Sequence, residues 1–385
     1  MKNKAIYFII LLVTLVLFAG FYFVNRGAVL HKDDLPLDAI APNISSFQSY
    51  SRAKVTAINT EDDEQVASLR RIVQNVTIRF LTGDNKDKEV LLDYESGFAA
   101  QKLKANDTVV IGTMLAPQDV NQSQFVILEE YRLPKVGIVA ALFLLLAVIF
   151  GRLKGFTAVV GLGFSIIVLV YFIAPGILAG QNPVIITLLG SGIIALVSIF
   201  LAHGFNQRTA LAVISTLISI GLAQVIAYYA VRFVGLLGNG SEETFLLQVG
   251  SLGAFNLQGL LLGSIIIGTL GILDDVTTGQ TAAVHELHQV NPELSFRQLY
   301  DKAMSIGREH IASLINTLVL AYAGAFFPLF LLIVLNNTQP LWTTLNSEFI
   351  SEEIIRTLVG SMVLILAVPL STLLASFYLK NKKSH

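Results

Sequence analysis

Long runs of apolar residues recur along this 385-residue chain and restrict its fold more than any other feature. A helix needs about 20 apolar residues to cross the hydrocarbon core of a lipid bilayer, which is about 30 Å thick. Only 14% of the residues are charged, whereas soluble domains have about 25%. The sequence therefore predicts a polytopic α-helical membrane protein with about eight transmembrane helices. The eight runs are 5–24, 136–150, 155–174, 184–202, 210–231, 256–273, 311–335 and 354–379.

The first run is expected to be an uncleaved membrane anchor. It is longer than the apolar region of a signal peptide, which has about 7–15 residues, and Phe18 before Gly20 gives a poor cleavage context. The predicted organisation is an anchor at 1–25, an extracytoplasmic β-rich domain at 26–134 and a seven-helix membrane domain at 135–385.

The basic residues between the runs follow the positive-inside rule when both termini are placed in the cytoplasm. The predicted outer loops carry mainly glutamates instead. We therefore expect a multi-pass protein of a bacterial plasma membrane, with residues 26–134 outside. The chain has no cysteine, so it has no disulfide or cysteine-based metal site. The predicted cytoplasmic basic residues are Lys2, Lys4, Arg152, Lys154, Arg208, Arg297, Lys302, Arg308, Lys380, Lys382 and Lys383.

The segment between the first two runs has the composition of a soluble domain. Residues 31–135 contain 12 Lys and Arg and 16 Asp and Glu, and the other 280 residues contain 14 and 11. Alternating apolar and polar residues, separated by turn residues, predict a small antiparallel barrel of OB or SH3-like type. The expected function of this domain is docking on a partner. The predicted strands are 52–59, 75–82, 89–94, 107–114 and 124–131.

The densest polar cluster of the membrane domain follows the sixth run. Carboxylate, hydroxyl and imidazole groups that share one helix face could coordinate a cation or relay protons. Adjacent residues are about 100° apart on a helix, so Asp275 is expected to lie closer to water than Asp274. Asn316 of the seventh run is the expected polar partner of Asp274. If the helix continues, its polar face carries Asp274, Thr278, Thr281, His285 and His288.

Two other interpretations of this cluster stay open. Thr277-x-x-Gln280 fits a capping box, so a new helix could begin after a break at Asp274-Asp275. The cluster could also be no more than a solvated helix end. Whether a metal binds there is unknown, because no histidine pair with metalloprotease spacing is present. The candidate ion or solute pathway consists of Asp274, Asp275, Thr278, Gln280, Thr281, His285 and Asn316.

Small residues on the sixth run predict close helix packing or a thin wall beside a pathway. They are Gly259, Gly263, Gly268 and Gly271. After this run, Ser295-x-x-Gln298 is predicted to begin an amphipathic helix that lies on the inner membrane surface and leads into the seventh run.

The motifs for enzymes are missing. An Asp-Asp-x-x-Asp motif would need an acid at Thr278, and the chain has no Gly-x-x-x-x-Gly-Lys loop for a nucleotide phosphate. We therefore expect no catalytic residue, no cofactor, no nucleic-acid partner and no ATP motor within this chain.

Several motifs of the membrane domain occur together: Pro175-Gly176-Ile177-Leu178-Ala179-Gly180 with Asn182-Pro183, His203-Gly204-Phe205-Asn206-Gln207-Arg208-Thr209, Gly271-Ile272-Leu273-Asp274-Asp275-Val276, and Ile306-Gly307-Arg308-Glu309 leading to Asn316-Thr317-Leu318-Val319-Leu320-Ala321-Tyr322-Ala323-Gly324. This combination resembles the YibE/F-like family of bacterial membrane proteins. The anchor and outer domain resemble the longer, YibE-type members, which often occur beside a shorter homologue. The resemblance implies an integral membrane protein of unsettled function. With the glycines of the sixth run, it suggests association with that shorter homologue or with a second copy.

Two functions fit the sequence. The first is a solute or ion transporter without its own motor, or a subunit of one. The second is a non-transporting envelope sensor or assembly factor that uses the outer β domain. A polar cavity in the bundle that reaches Asp274 or Asn316 would favour the first.

Overall fold

The computed structural model describes residues 47, 49–66, 69–96, 102–116, 119–250, 255–335 and 340–381. The predicted anchor at 5–24 lies outside these residues. The chain divides into a β-rich unit within Pro36–Leu145 and a helical unit that contains Leu146–His385.

The β-rich unit is a five-stranded antiparallel sheet with the strand order β3-β2-β1-β4-β5. Strand β3 approaches β5, so the sheet curls into a half-barrel. Five antiparallel strands were predicted, and five are present. The alternating apolar residues of one face form the core, which includes Val55, Val76, Ile78, Val109 and Ile111. The strands are β1 (Ser49–Val66), β2 (Leu69–Phe80), β3 (Glu89–Ser96), β4 (Thr108–Ala116) and β5 (Asp119–Glu130).

A buried glutamine fastens an irregular segment to the sheet core. The Gln74 side chain is 0% exposed. Its Nε2 donates to the carbonyl of Leu103 at 3.1 Å, and its Oε1 accepts from the Leu103 N–H at 2.8 Å. Leu103, which precedes β4, is buried in the same core. One amide thus satisfies both backbone groups of a residue that belongs to no strand.

The rest of the described chain is helical. The helices are α1 (Leu133–Val168), α2 (Ala174–Leu178), α3 (Pro183–His203), α4 (Gln207–Val234), α5 (Glu242–Gly250), α6 (Leu257–Val290), α7 (Phe296–Ala325), α8 (Phe327–Leu335), α9 (Leu341–Leu345) and α10 (Glu348–Asn381). A π-helical turn, Leu169–Ile173, joins α1 to α2. Helix α6 packs against α3, α4, α7 and α10 and is the centre of the bundle.

Five helical segments of the described residues are long and apolar enough to cross a membrane. The segment Leu133–Leu178 contains the predicted runs 136–150 and 155–174, and the predicted run 311–335 is divided between α7 and α8. The apolar helices support a membrane protein, and the count of eight spans stays a prediction. The other four segments are Pro183–His203, Gln207–Val234, Leu257–Val290 and Glu348–Asn381.

Helix α1 bends sharply at Arg152, whose φ of 50° and ψ of −134° are not helical. A Cβ on Gly155 would overlap the carbonyl oxygen of Ala147, eight residues earlier. A straight helix would separate these positions by about 12 Å along its axis. The bend therefore requires glycine at position 155, and it separates the two predicted runs.

The structure decides between two interpretations of the Asp274 region. Helix α6 continues through Asp274-Asp275 from Leu257 to Val290, so the alternative of a break with a capping box at Thr277 is wrong. The capping box of Ser295 and Gln298 is present, but the helix that it begins continues to Ala325. The predicted surface helix is thus the first part of α7. Its residues Leu299 and Ala303 are buried against α6 and α10.

Candidate functional site

A polar cavity of about 300 Å³ lies at the end of the bundle where α6 begins. Its walls come from α6, α10, α3, the α2 region and the segment that contains α5. Its lining is mainly apolar, but it includes two charged residues of α10, Glu352 and Arg356, and the hydroxyl-bearing residues Thr187, Ser241, Thr244 and Ser264. Apolar side chains such as Ile177 and Ile267 complete the walls. We call this space the polar cavity.

The first turns of α10 bind the loop Leu237–Gly240, in which Gly238 lines the polar cavity. Glu348 Oε1 accepts from the N–H groups of Leu237 at 2.6 Å and Gly238 at 3.0 Å. Glu352 Oε1 accepts from the Gly240 N–H at 2.9 Å. A Cβ on Gly240 would lie 2.8 Å from the Phe349 backbone, so the loop requires glycine for this close approach. Two carboxylates thus fix the loop through its backbone.

Glu352 is 5% exposed although it is ionisable. The neighbouring Glu353 points to a different space, because adjacent helical residues are about 100° apart. That space is a larger cavity of about 680 Å³, lined mainly by apolar residues of α7, α8 and α10. Glu353 Oε2 lies 3.7 Å from Arg356 Nε. Charged groups in a membrane bundle are costly and usually functional, which makes Glu352 and Arg356 candidate functional residues.

The sequence alone does not single out this pair, because the apolar run 354–379 placed Glu352 and Arg356 at the edge of a helix. Helix α10 begins at Glu348, six residues before the apolar run. The i,i+4 spacing of a carboxylate and a guanidinium next to an apolar run is the signal that could have found them.

The predicted polar residues do share one continuous helix, α6, but most of their side chains form hydrogen bonds within that helix. Asp274 is half-buried and Asp275 is exposed. The Thr278 hydroxyl donates to the Asp274 carbonyl at 2.8 Å, and the Thr281 hydroxyl donates to the Thr277 carbonyl at 2.8 Å. His285 Nε2 lies 2.9 Å from Gln289 Nε2. Among the described residues, no group of three or more His, Cys, Asp or Glu could hold a metal ion.

Gln280 joins three helices instead of lining a pathway. Its Nε2 donates to the Ala303 carbonyl of α7 at 2.9 Å and to Thr372 Oγ1 of α10 at 2.7 Å. The Thr277 and Thr216 hydroxyls, 2.7 Å apart, join α6 to α4 in the same layer. Such interhelical hydrogen bonds stabilise a membrane bundle.

Asp274 keeps one unsatisfied oxygen. Its Oδ1 is shielded from solvent and has no hydrogen-bond partner within the described structure. The expectation that Asn316 would be this partner is not met, since Asn316 is exposed and makes no described hydrogen bond to Asp274. The α7 face that carries Asn316 points away from the bundle. Neither cavity described above is lined by Asp274 or Asn316.

The glycines of α6 serve different contacts within the chain. A Cβ on Gly263 would lie 2.8 Å from Thr187 Oγ1 of α3, and one on Gly268 would lie 3.2 Å from the Tyr322 hydroxyl of α7. Gly259 packs against the Asn256 side chain of its own helix cap, whereas Gly271 faces open space. Gly263 and Gly268 therefore lie at helix contacts inside the bundle.

The helical unit is thus the membrane domain of a polytopic α-helical protein. The model of the family described as YibE/F-like protein matches residues 139–381, and the chain belongs to this family. The match confirms the resemblance seen in the sequence. The chain matches no curated protein and no solved structure.

Proposed function

We propose that this protein transports a small solute or ion across the membrane without an ATP motor of its own, either alone or as a subunit. The polar cavity is the observation that carries this proposal. Ligand sites are concave, largely apolar and supplied with a few convergent polar groups. The polar cavity has this character, and it contains a buried carboxylate and a guanidinium. No enzymatic activity forms part of the proposal.

The polar cavity is not lined by Asp274 or Asn316, so the transport proposal extends it along the polar face of α6. Leu260, Gly263 and Ile267 line the polar cavity. Helical spacings of 7, 4, 3 and 4 residues beyond Ile267 keep the following positions on the same face. The continuation consists of Asp274, Thr278, Thr281 and His285. We propose that a solute passes along this face, from the polar cavity past the unsatisfied carboxylate of Asp274.

The proposed topology has eight transmembrane helices in a bacterial plasma membrane, with both termini in the cytoplasm and residues 26–134 outside. The bend at Arg152 supports two crossings by the segment Leu133–Leu178. A rise of 1.5 Å per residue makes its 46 residues about 69 Å long, which exceeds twice the core thickness of about 30 Å. This topology puts the polar cavity near the outer surface and Asp274 near the inner surface.

Reporter fusions test this topology. A reporter fused after Lys383 should show that this position lies in the cytoplasm, because an even number of spans returns the chain to the side of Lys2. A reporter inserted at Asp84, in the turn between β2 and β3, should be active only outside. Alkaline phosphatase and a fluorescent protein that folds only in the cytoplasm provide complementary readouts. Equal localisation of the two insertion sites would refute the odd number of spans, seven, that this topology places after the β-rich unit.

The β-rich unit and the partner chain complete the proposal. We propose that the half-barrel is an OB or SH3-like module, because β3 approaches β5 and leaves one open seam. Besides the lipid bilayer, the proposed partner is a shorter YibE/F-type homologue or a second copy. A sensor or assembly factor that acts through the half-barrel alone is the second candidate. It predicts that charges of the polar cavity are dispensable.

Charge-neutralising variants distinguish these candidates. When each variant is expressed in a strain that lacks the gene, we expect that Glu352→Gln and Asp274→Asn do not restore the wild-type metabolite and metal profile. Both variants should insert at normal abundance, because each replaces a carboxylate by an amide of the same shape. Asp275→Asn is the matched control, because Asp275, although part of the pathway predicted from the sequence, is exposed and lies off the proposed helix face that carries Asp274.

The measurement combines membrane abundance with metabolite and metal profiling. Asp275→Asn should restore the wild-type profile. A wild-type profile with Glu352→Gln at normal abundance would refute a transport site in the polar cavity. A wild-type profile with Asp274→Asn alone would refute the proposed inner part of the pathway, and the proposed transport site in the polar cavity would still stand.

A further inference from the structure

We propose that the polar cavity binds a small zwitterion of the α-amino acid class with an aliphatic side chain, whose carboxylate pairs with Arg356 and whose ammonium pairs with Glu352. This inference rests on the proposed function and supplies its substrate class. It follows from two opposite charges that line one cavity without pairing with each other.

Glu352 and Arg356 lie one helical turn apart on α10. A carboxylate and a guanidinium at this spacing ordinarily attract each other across the turn. Within the described residues, however, they form no ion pair. Glu352 Oε1 is occupied by the Gly240 N–H at 2.9 Å, and Arg356 Nε faces Glu353 Oε2 at 3.7 Å. Arg356 is therefore ion-paired with Glu353, and Glu352 is held by the backbone of the loop.

Arg356 has unused hydrogen-bond donors. A guanidinium carries five N–H donors and binds carboxylates through two parallel hydrogen bonds. Arg356 makes no hydrogen bond with any described residue, and its Nε is shielded from solvent. The separation of 3.7 Å from Glu353 is too long for a hydrogen bond. A ligand carboxylate would satisfy donors that the bundle leaves without acceptors.

Glu352 provides the complementary end of the site. A buried carboxylate is costly unless a cation and hydrogen bonds compensate it. The hydroxyls of Thr244 and Ser264 already donate to the carbonyls of Ser241 and Leu261, both at 2.8 Å. Thr244 Oγ1 also accepts from the Ser241 N–H at 3.2 Å, whereas no described donor bonds to Ser264 Oγ, which remains an acceptor in the cavity lining. An ammonium has three donors and would fit a site that offers one carboxylate and this hydroxyl oxygen.

The charges favour a ligand that carries both signs. A metal cation held by Glu352 would be repelled by Arg356, and a simple anion held by Arg356 would be repelled by Glu352 and by Glu353, which lies 3.7 Å from Arg356 Nε. A zwitterion satisfies both charges at once. The remaining lining includes Ile173, Ile177 and Ile267, which suits an aliphatic side chain. The volume of about 300 Å³ lies at the lower limit for ligand cavities, so the solute is small.

Thermal unfolding of the full chain in detergent tests this assignment. The probes are L-leucine and L-alanine, with 3-methylbutylamine and 4-methylpentanoate as compounds that keep only one of the two charges. We expect the amino acids to raise the Tm and the singly charged compounds to have no effect at the same concentration. This comparison needs no variant, so it does not depend on how variants fold.

Equilibrium binding of labelled leucine to variants then assigns the charges. Arg356→Gln and Glu352→Gln should each weaken binding about 10- to 100-fold, the loss expected for a charge-assisted contact. The matched controls are Arg232→Gln and Glu243→Gln, which change exposed residues. Hydrogen bonds from its own backbone N–H and from Ser241 lower the pKa of the Glu243 carboxyl, so this control also removes a negative charge. Both controls should bind leucine like the wild type.

The outcomes separate this inference from the proposed transport. An equal Tm shift with the acid or the amine alone would overturn the zwitterion assignment, as would no shift with either amino acid. Loss of binding in the two control variants would also overturn it. Leucine binding that depends on both charges, together with a wild-type cellular profile for Glu352→Gln, would support the site and refute transport through it.

Discussion

Gly307→Leu should remove most of the folded protein from the membrane. Gly307 lies on α7 where this helix crosses α6 and α10. A Cβ there would lie 2.5 Å from Val368 Cγ1 and 3.0 Å from Gln280 Nε2. Neither neighbour can move easily. Val368 is 0% exposed and has a stiff, branched side chain, and Gln280 is fixed by its bonds to α7 and α10.

The expected loss of stability is large. Overpacking a core costs about 1–3 kcal/mol for a few added methylene groups. Gly307→Leu also displaces Gln280, which leaves the Ala303 carbonyl without its side-chain donor. We therefore expect low abundance, aggregation on size-exclusion chromatography and a lower Tm in detergent.

Gly324→Leu is the matched control, because Gly324 lies on the same helix with no atom within 4 Å of its Cβ position. It should accumulate like the wild type. Similar abundance and Tm values for the two variants would show that α7 does not cross α6 and α10 at Gly307.

Gln74→Leu should destabilise the β-rich unit by several kcal/mol. Leucine has nearly the same size but cannot hydrogen-bond, so the N–H and the carbonyl of Leu103 would lose their side-chain partner. A buried polar group without a partner costs about 1–3 kcal/mol, and a small domain has only about 5–15 kcal/mol of stability in total. Limited proteolysis of the full chain should therefore cut the region around Leu103 faster.

Gln124→Leu makes the same chemical change at an exposed position of β5. It should leave the proteolysis rate close to that of the wild type. If both variants resist proteolysis like the wild type, the hydrogen bonds between Gln74 and Leu103 do not hold this segment.

The half-barrel shows which strands the local sequence pattern predicts and which part it misses. The alternation of apolar and polar residues predicted the five strands, because a strand exposes its residues to two faces in turn. It did not predict the outer part of the first hairpin, where Glu61 and Gln65 pair with Gln74 and Arg70. On the β1 side, residues 61–65 are polar at every position, so the sequence shows no alternation of apolar and polar residues there. The predicted docking role of the half-barrel remains untested.

On the polar face of α6, the sequence predicted the environment of the residues but not their partners on other helices. Its spacing predicted that Asp274 and Asp275 differ in environment, and the structure makes the first half-buried and the second exposed. The predicted partner of Asp274, Asn316, was wrong, because Asn316 lies on an exposed face of α7. Gln280 was predicted in the pathway but bonds to α7 and α10. A residue's face follows from spacing on its own helix, whereas its partner depends on how another helix is rotated.

The sequence by itself determined the class of this protein. Runs of apolar residues long enough for a bilayer, an alternating segment between the first two runs and the motifs of the YibE/F-like family required no contact between distant residues. Hydrophobicity acts on each segment separately, so these features can be recognised locally. Only the tertiary structure brought Glu352 and Arg356 together with the Gly240 loop, α3 and α6 around one cavity. Such a site depends on the packing of segments about 100 residues apart, and packing is decided by shape and hydrogen bonding across helices.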